Sequence, residues 1–223
     1  MRRVRDYLSA RGISFEIIVV DDFSEDQTGE KVERISADFP ELKLLRLSSH
    51  QGKGAAVKAG ILAGEGQFIL MTDADLSTPI EELEKMETAV KPGFDLAIGS
   101  RRAAGAKIVR RQPWLRQNIG LAFGFLTGLI VPTGFKDTQC GFKYFKKEAA
   151  KKIFPLQTAV GLPFDLEILA IAERLGYKIV EVPVSWQDAE GSKVRPIAHL
   201  PRVIREVLKI RWNLWRGKYF EKS

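Results

Sequence analysis

A chain of 223 residues, 45% hydrophobic and 28% charged, has the make-up of an ordinary globular protein and the length for one domain with a real core. Cys140 is its one cysteine, so no intramolecular disulfide can form, and with only His50 and His199 besides, the composition argues against a zinc site of the usual kind. The net charge of +7 points toward anionic partners: phosphates, nucleic acid or anionic lipid.

In chain order, Met1 to Ala10 reads as a polar, amphipathic helix rather than a secretory leader. Phe15 to Val20 is a continuous β-rich apolar run, the pattern of a strand buried on both faces in a parallel sheet. Ser24-Glu25-Asp26-Gln27 resembles a capping box and predicts a helix to about Ala37. Leu42 to Leu47 is a second strand, and Gly54 to Ala63 a small-residue helix stopped by Gly64 and Gly66. Gln67 to Thr72 is a third strand. Thr78 and Pro79 supply the cap and first position of a helix to Val90, and Phe94 to Ile98 is a fourth strand. Strands and helices alternating at this spacing predict a doubly wound α/β unit over residues 13–100. Beyond it, Leu115 to Ile130, Phe145 to Phe154 and Phe164 to Gly176 read as helices. Lys178 to Trp186 reads as a strand in which Pro183 marks an edge or irregular position, and Leu200 to Arg216 as a basic amphipathic helix. The apolar run from Ile119 to Thr133 is too short to span a bilayer.

Ligands of such sheets bind at the carboxyl ends of the strands. Asp21-Asp22, Asp73-Ala74-Asp75 and Gly99-Ser100-Arg101 all fall there. Two carboxylates one residue apart can hold Mg²⁺ or Mn²⁺ through oxygen and leave positions for substrate phosphates, although a D-x-D also occurs in turns for local hydrogen bonding. Asp21 and Asp22 are candidates to accept hydrogen bonds from a base or ribose, Asp21 the better one; capping of the next helix is the other reading of Asp22. Gly52 and Lys53 open a helix and let the backbone approach an anion, without the spacing of a P-loop. From Arg101 through Lys136 there is no Asp or Glu. Arg101 and Arg116 are the arginines there suited to bidentate phosphate contact, with Arg102, Arg110 and Arg111 as solvated surface. Asp137 borders that stretch, where it either pairs with a basic side chain or orients and deprotonates an acceptor. Asp165 and Glu167, two apart on a helix, do not share a face; Asp165 either caps the helix or one of the pair faces the site.

The series VVDDFSEDQT (19–28), HQGKGAAVKAG (50–60), LMTDADLSTP (70–79), IGSRR (98–102), DTQCGFKYF (137–145), FDLEIL (164–169) and EVPVSW…EGSKV (181–194) resembles the family 2 glycosyltransferases. Within them it is most similar to the dolichyl-phosphate glucosyl- and mannosyltransferase branch, in order from Phe15 to Val194. The resemblance implies a GT-A fold: an α/β, Rossmann-like, mixed but mostly parallel sheet flanked by helices over residues 1–194, followed by a basic amphipathic helix and tail over 195–223. It implies Mg²⁺ or Mn²⁺ held through Asp75, with Asp73 on the donor or the metal. It implies a nucleotide-diphosphate sugar near Asp21, Asp22, Ser24, Gly52, Lys53 and Asp73, and an acceptor phosphate near Arg101, Arg116 and Gln139, with Asp137 as the base where one is needed. The implied reaction is inverting, non-processive transfer of a hexose to dolichyl or another polyprenyl phosphate. The wording of DTQCGFK and DADLSTP is closer to the glucosyl branch, so UDP-glucose is expected ahead of GDP-mannose. The Q-x-x-R-W signature of processive synthases is absent. The family begins with an apolar strand and a base-binding P-x-[YF]-N-E turn, central in its sheet. This sequence begins in the helix that follows, so a gap beside Phe15 to Val20 is expected.

A lipid acceptor is reached at a membrane. Leu115 to Ile130 and the basic C-terminal helix are the segments expected at that interface, with Trp212, Trp215 and Tyr219 at the boundary and Lys and Arg on head groups; burial in the core or in an oligomer contact is the alternative. The expectation is a peripheral protein on the cytoplasmic face of a membrane. Two other functions compete: transfer to a soluble glycan or protein, and non-catalytic binding of nucleic acid by the basic tail. No nucleic-acid-binding motif is present and the strand-end carboxylates have no role in such a binder, so no nucleic-acid partner is expected.

Overall fold

The computed structural model describes residues 1–91, 93–110, 112–188 and 200–220, without the side chains of Leu115, Arg116, Ile119 and Phe123. The expectations for the Arg111 and Arg116 side chains, for the EGSKV motif and for a boundary between residues 194 and 195 lie outside the described residues.

The order is α1 (Arg2–Ala10), β1 (Ile17–Asp21), α2 (Thr28–Asp38), β2 (Leu42–Arg46), α3 (Lys53–Ala63), β3 (Phe68–Thr72), a 3-10 turn (Ile80–Glu82) running into α4 (Leu83–Val90), and β4 (Leu96–Ser100). Then follow β5 (Lys107–Arg110), α5 (Trp114–Ile130), β6 (Phe142–Lys146), α6 (Lys147–Leu156), α7 (Phe164–Arg174), β7 (Ile179–Pro183), β8 (Ser185–Gln187) and α8 (Leu200–Trp215). The central sheet has the order β3-β6-β4-β7, with β6 antiparallel to both neighbours and β7 parallel to β4. Pro183 lies on the edge strand, where a missing amide costs no ladder bond. β1 and β2 form a separate parallel pair, as do β5 and β8. Among the described residues no ladder joins β1 or β2 to the central sheet.

Three expectations are corrected. Phe145 and Lys146 belong to strand β6 and not to a helix; α6 begins at Lys147. The strand is buried on both faces and central, so its sequence lacks the polar alternation that marks a half-exposed strand. The first-half helix starts at Thr28, not Ser24, and has no side-chain cap at Gln27; Asp26 Oδ1 instead accepts the Thr28 amide at 2.9 Å. Thr78 does not cap α4, because a 3-10 turn intervenes and Thr78 is buried with its hydroxyl 3.9 Å from Cys140 Sγ.

Alternation along the strands divides the core. Leu96 and Ile98 of β4, Phe145 of β6, and Ile69 and Met71 of β3 pack with α6, α7 and the Val203, Val207 and Ile210 face of α8. Ala97, Phe142, Tyr144 and Val182 turn to the other side, against Leu8 of α1 and Leu83, Met86 and Val90 of α4. The same alternation sends Lys143 toward α7. It is completely buried there, satisfied by the Asp165 carboxylate and the Cys140 carbonyl.

Candidate functional site

The antiparallel course of β6 places the segment 137–141 at the edge where β3 and β4 end. Five pieces of chain supply the candidate residues: the turns after β1, β2, β3 and β4, and the segment leading into β6.

After β3, Asp73 and Asp75 stand on a tight turn. The Leu76 amide donates to the Asp73 carbonyl at 3.0 Å and the Ser77 amide to Asp75 Oδ1 at 2.9 Å. Leu76 has φ 52°, a left-handed conformation that bulky residues rarely adopt, and Phe23 after β1 repeats it at φ 60°. Both strained residues follow strand-end aspartates. Asp73 is partly exposed and Asp75 exposed. Asp73 Oδ1 accepts from Lys53 Nζ at 2.6 Å. A Cβ on Gly141 would lie 2.0 Å from Asp73 Oδ2, so only glycine lets β6 begin this close to the carboxylate.

Lys53 is the first residue of α3, and its side chain is 36% exposed. Burial opposes its charge, but Asp73, Asp165 and Asp75 outweigh that and raise its pKa. Gly52 before it has φ 113°, and a Cβ there would meet the Val160 carbonyl at 2.6 Å. Asp22 holds this turn from β1, accepting the Gln51 and Gly52 amides at 2.8 Å each, with His50 Nδ1 at 2.9 Å. Asp21 is buried, accepts the Ser24 amide at 3.0 Å and lies 3.6 Å from Arg46 Nε. The carboxylate of Asp22, rather than that of Asp21, therefore touches the Gly52-Lys53 turn.

After β4, Arg101 is committed. Its Nε and Nη2 donate to Asp137 at 2.7 and 2.9 Å, its amide donates at 3.0 Å, and its guanidinium lies over Trp186. Asp137 is 1% exposed. Burial would raise its pKa, but Arg101 holds it below the ordinary aspartate range. Burial also pushes the Cys140 thiol up to about 11, so it stays protonated and unreactive. Beside this pair is a cavity of about 50 Å³ lined by Arg102, Thr133, Lys136, Asp137 and Gln139. Gln139 Nε2 is buried with no hydrogen-bond partner, a donor with unused capacity. Arg102, read from sequence as surface, lines this cavity and donates to the Lys136 carbonyl at 3.2 Å. Sequence spacing carries no signal for that, since the cavity is closed by α5 residues twenty or more positions away.

Two carboxylates a residue apart suit a hard cation that draws its remaining ligands from a diphosphate and water. Among the described residues no group of three or more His, Cys, Asp or Glu side chains is arranged to hold a metal ion by itself. The pattern of Glycosyl transferase family 2 matches residues 2–154. This chain belongs to glycosyl transferase family 2. Family 2 relatives named dolichyl-phosphate beta-glucosyltransferase are 35% identical over 217 residues in Dictyostelium discoideum, covering 94% of this chain and 66% of the relative. One from Trichomonas vaginalis is 39% identical, covering 92% and 63%, and that of Homo sapiens is 32% identical, covering 92% and 66%. The chain thus spans about two thirds of these relatives' length. Glucosyl-3-phosphoglycerate synthase from Mycobacterium tuberculosis, crystallised with Mn²⁺, UDP and glucosyl-3-phosphoglycerate, shares the fold at TM-score 0.58 and 18% identity, over 87% of this chain and 67% of that one. The GT-A architecture expected for the family is the one observed, a mixed α/β sheet flanked by helices.

The helices beyond the sheet complete the site's surroundings. Trp114, Leu121, Phe125, Leu126 and Leu129 of α5 are exposed, as are Leu200, Ile204, Leu208, Trp212 and Trp215 of α8, which packs beside it. Tyr219, expected at a membrane boundary with the tryptophans, is instead buried, with its hydroxyl on Glu167. No helix among the described residues is long and apolar enough to cross a membrane.

Proposed function

We propose that this chain transfers glucose from UDP-glucose, with GDP-mannose as the second candidate donor, to dolichyl or another polyprenyl phosphate, with inversion at the anomeric carbon. The observation that carries the reading is the pair Asp73–Asp75 on its strained turn, with Lys53 against Asp73. The names of relatives that align over nine tenths of the chain support it.

Asp75 and Asp73 would hold Mg²⁺ or Mn²⁺, which when bound neutralises the donor diphosphate and the departing nucleotide. Lys53, kept charged by its carboxylate neighbours, supplies further positive charge on the diphosphate side. Asp22 shapes that side by fixing the Gly52-Lys53 turn, and Asp21 and Ser24 brace it from behind. The acceptor phosphate oxygen attacks the anomeric carbon as the bond to the nucleotide diphosphate breaks. A phosphate is already anionic near neutral pH, so no strong base is required. The Arg101 pairing makes Asp137 a poor proton acceptor and a good orienting group, holding Arg101 at the end of β4. Gln139 Nε2 and Arg102, on the neighbouring cavity, would donate to the acceptor phosphate, and Arg116 is the further arginine that the sequence offers for it. The exposed apolar faces of α5 and α8 would rest on the cytoplasmic face of a membrane that supplies the lipid.

The test is a transfer assay with purified protein, dolichyl phosphate, Mg²⁺ or Mn²⁺, and each donor in parallel. Lipid-linked glucose from UDP-glucose is expected, lost with EDTA and reduced at least a hundredfold, about 2.7 kcal/mol, in Asp75→Ala with the fold intact. Metal-dependent turnover retained in that variant would remove Asp75 from the site. Transfer to soluble phosphates with none to lipid would overturn the acceptor.

A further inference from the structure

Glu167 is completely buried in α7, and four donors converge on its carboxylate. The Thr158 and Ala159 amides donate to Oε2 at 2.8 and 2.6 Å, the Thr158 hydroxyl donates to Oε1 at 2.7 Å, and the Tyr219 hydroxyl also donates to Oε1. Asn213 of α8 closes the network, its Nδ2 donating to the Tyr219 hydroxyl at 3.1 Å and to Thr158 Oγ1 at 3.3 Å. An apolar anchor would dock the C-terminal turn without desolvating a carboxylate. A fully satisfied polar network instead fixes direction, which packing alone does not.

What that network holds is segment 157–161, and this segment grips the start of α3. The Val160 carbonyl accepts the Gly54 amide at 2.8 Å and the Ala55 amide at 3.3 Å, and Gln157 Nε2 donates to the Gly54 carbonyl at 2.9 Å. From α8, Glu206 accepts the Gly161 amide at 3.2 Å. Lys53 begins α3, and its ammonium is 2.6 Å from Asp73. A continuous series of bonds, buried at Glu167 and partly exposed at Lys53 and Asp73, therefore runs from the C-terminal turn to the strand-end carboxylates.

We propose that Tyr219 and Asn213 are positioning residues that, through Glu167 and segment 157–161, set Lys53 against Asp73 and so tune the donor side of the site. The inference rests on the reading of Lys53 and Asp73 as donor-binding groups. Removing the Tyr219 hydroxyl leaves the ring in place but frees one bond of the carboxylate, so segment 157–161 and the first turn of α3 shift and the Lys53–Asp73 pair loosens.

The experiment is competitive acetylation of the full chain, read by mass spectrometry, in the wild type, Tyr219→Phe, Asn213→Ala and, as the reference for a lost pair, Asp73→Asn. Lys43, exposed on β2, and Lys143, buried beneath the site, are internal controls. Lys53 labelling is expected to rise toward the Asp73→Asn level in both variants as the ammonium leaves its carboxylate partner, with both controls unchanged. In the transfer assay the same variants raise the donor KM and leave the acceptor KM. Unchanged Lys53 labelling in both variants overturns the proposal, and so does a rise that Lys143 shares, which marks general loosening. A wild type without transfer activity would count against the proposed reaction, while the labelling still decides the positioning.

Discussion

Asp73 and Asp137 both lie at the carboxyl end of the sheet, and their surroundings set them to different tasks. Asp73 is partly exposed on a strained turn, with one oxygen on Lys53. Asp137 is buried under two guanidinium bonds and a backbone amide. Removing one member of a buried pair leaves the other charge uncompensated, so Asp137→Asn should cost about 3–5 kcal/mol of stability at pH 7, measured by urea unfolding. Because the folded pKa of Asp137 is depressed, its contribution is complete above the ordinary aspartate value of about 3.9 and is lost as pH falls through the folded value. The gap between wild type and variant should therefore narrow below about pH 4. A constant gap would mean the carboxylate's charge is not what stabilises the fold. Both aspartates were legible as candidates from their positions, one after an apolar run and one at the border of an acid-free stretch. Their difference was not, because Arg101 reaches Asp137 from 36 residues away.

At the scale of elements, α8 shows two faces. Val203, Val207, Ile210 and Asn213 face the core, while Leu200, Ile204, Leu208, Trp212 and Trp215 follow one exposed stripe at helical spacing, with Trp215 73% exposed. Arg205, Lys209, Arg211 and Arg216 are exposed around it. Burying a leucine-sized side chain is worth about 1.5–3 kcal/mol, and each basic residue adds about 1 kcal/mol at an anionic surface. The protein should float with phosphatidylserine-containing vesicles, be released by high salt, and lose tenfold or more of its partitioning in Leu208→Asp with its unfolding transition unchanged. Equal flotation of that variant would place the contact elsewhere. The amphipathic period of α8 was visible in the sequence. That Tyr219 turns inward was not, because its partner Glu167 is 52 residues away. Strand β6 was missed for a related reason: a strand enclosed on both faces, with its buried Lys143 paired with Asp165, carries no alternation to read.

At the scale of the molecule, the sheet is divided. β3-β6-β4-β7 is sandwiched between two helical layers, whereas β1 pairs with β2 alone among the described residues, and Ile17 to Val20 are only partly buried despite being wholly apolar. Segments with fewer buried contacts open at lower free energy. Hydrogen exchange should therefore be faster for amides of β1 and β2 than for those of β4 and β6; equal protection would mean that both sheets open as one unit. The order of elements as far as β4, the family and the aspartates at strand ends were determined by the sequence itself, because strand and helix periods and short motifs are local properties of the chain. Which carboxylate is paired, which arginine lines the cavity, where β6 inserts and how the C-terminal turn reaches Glu167 were decided only by tertiary structure. Each depends on side chains brought together across tens of residues, and burial in a shared low-dielectric interior sets their charge and their partners.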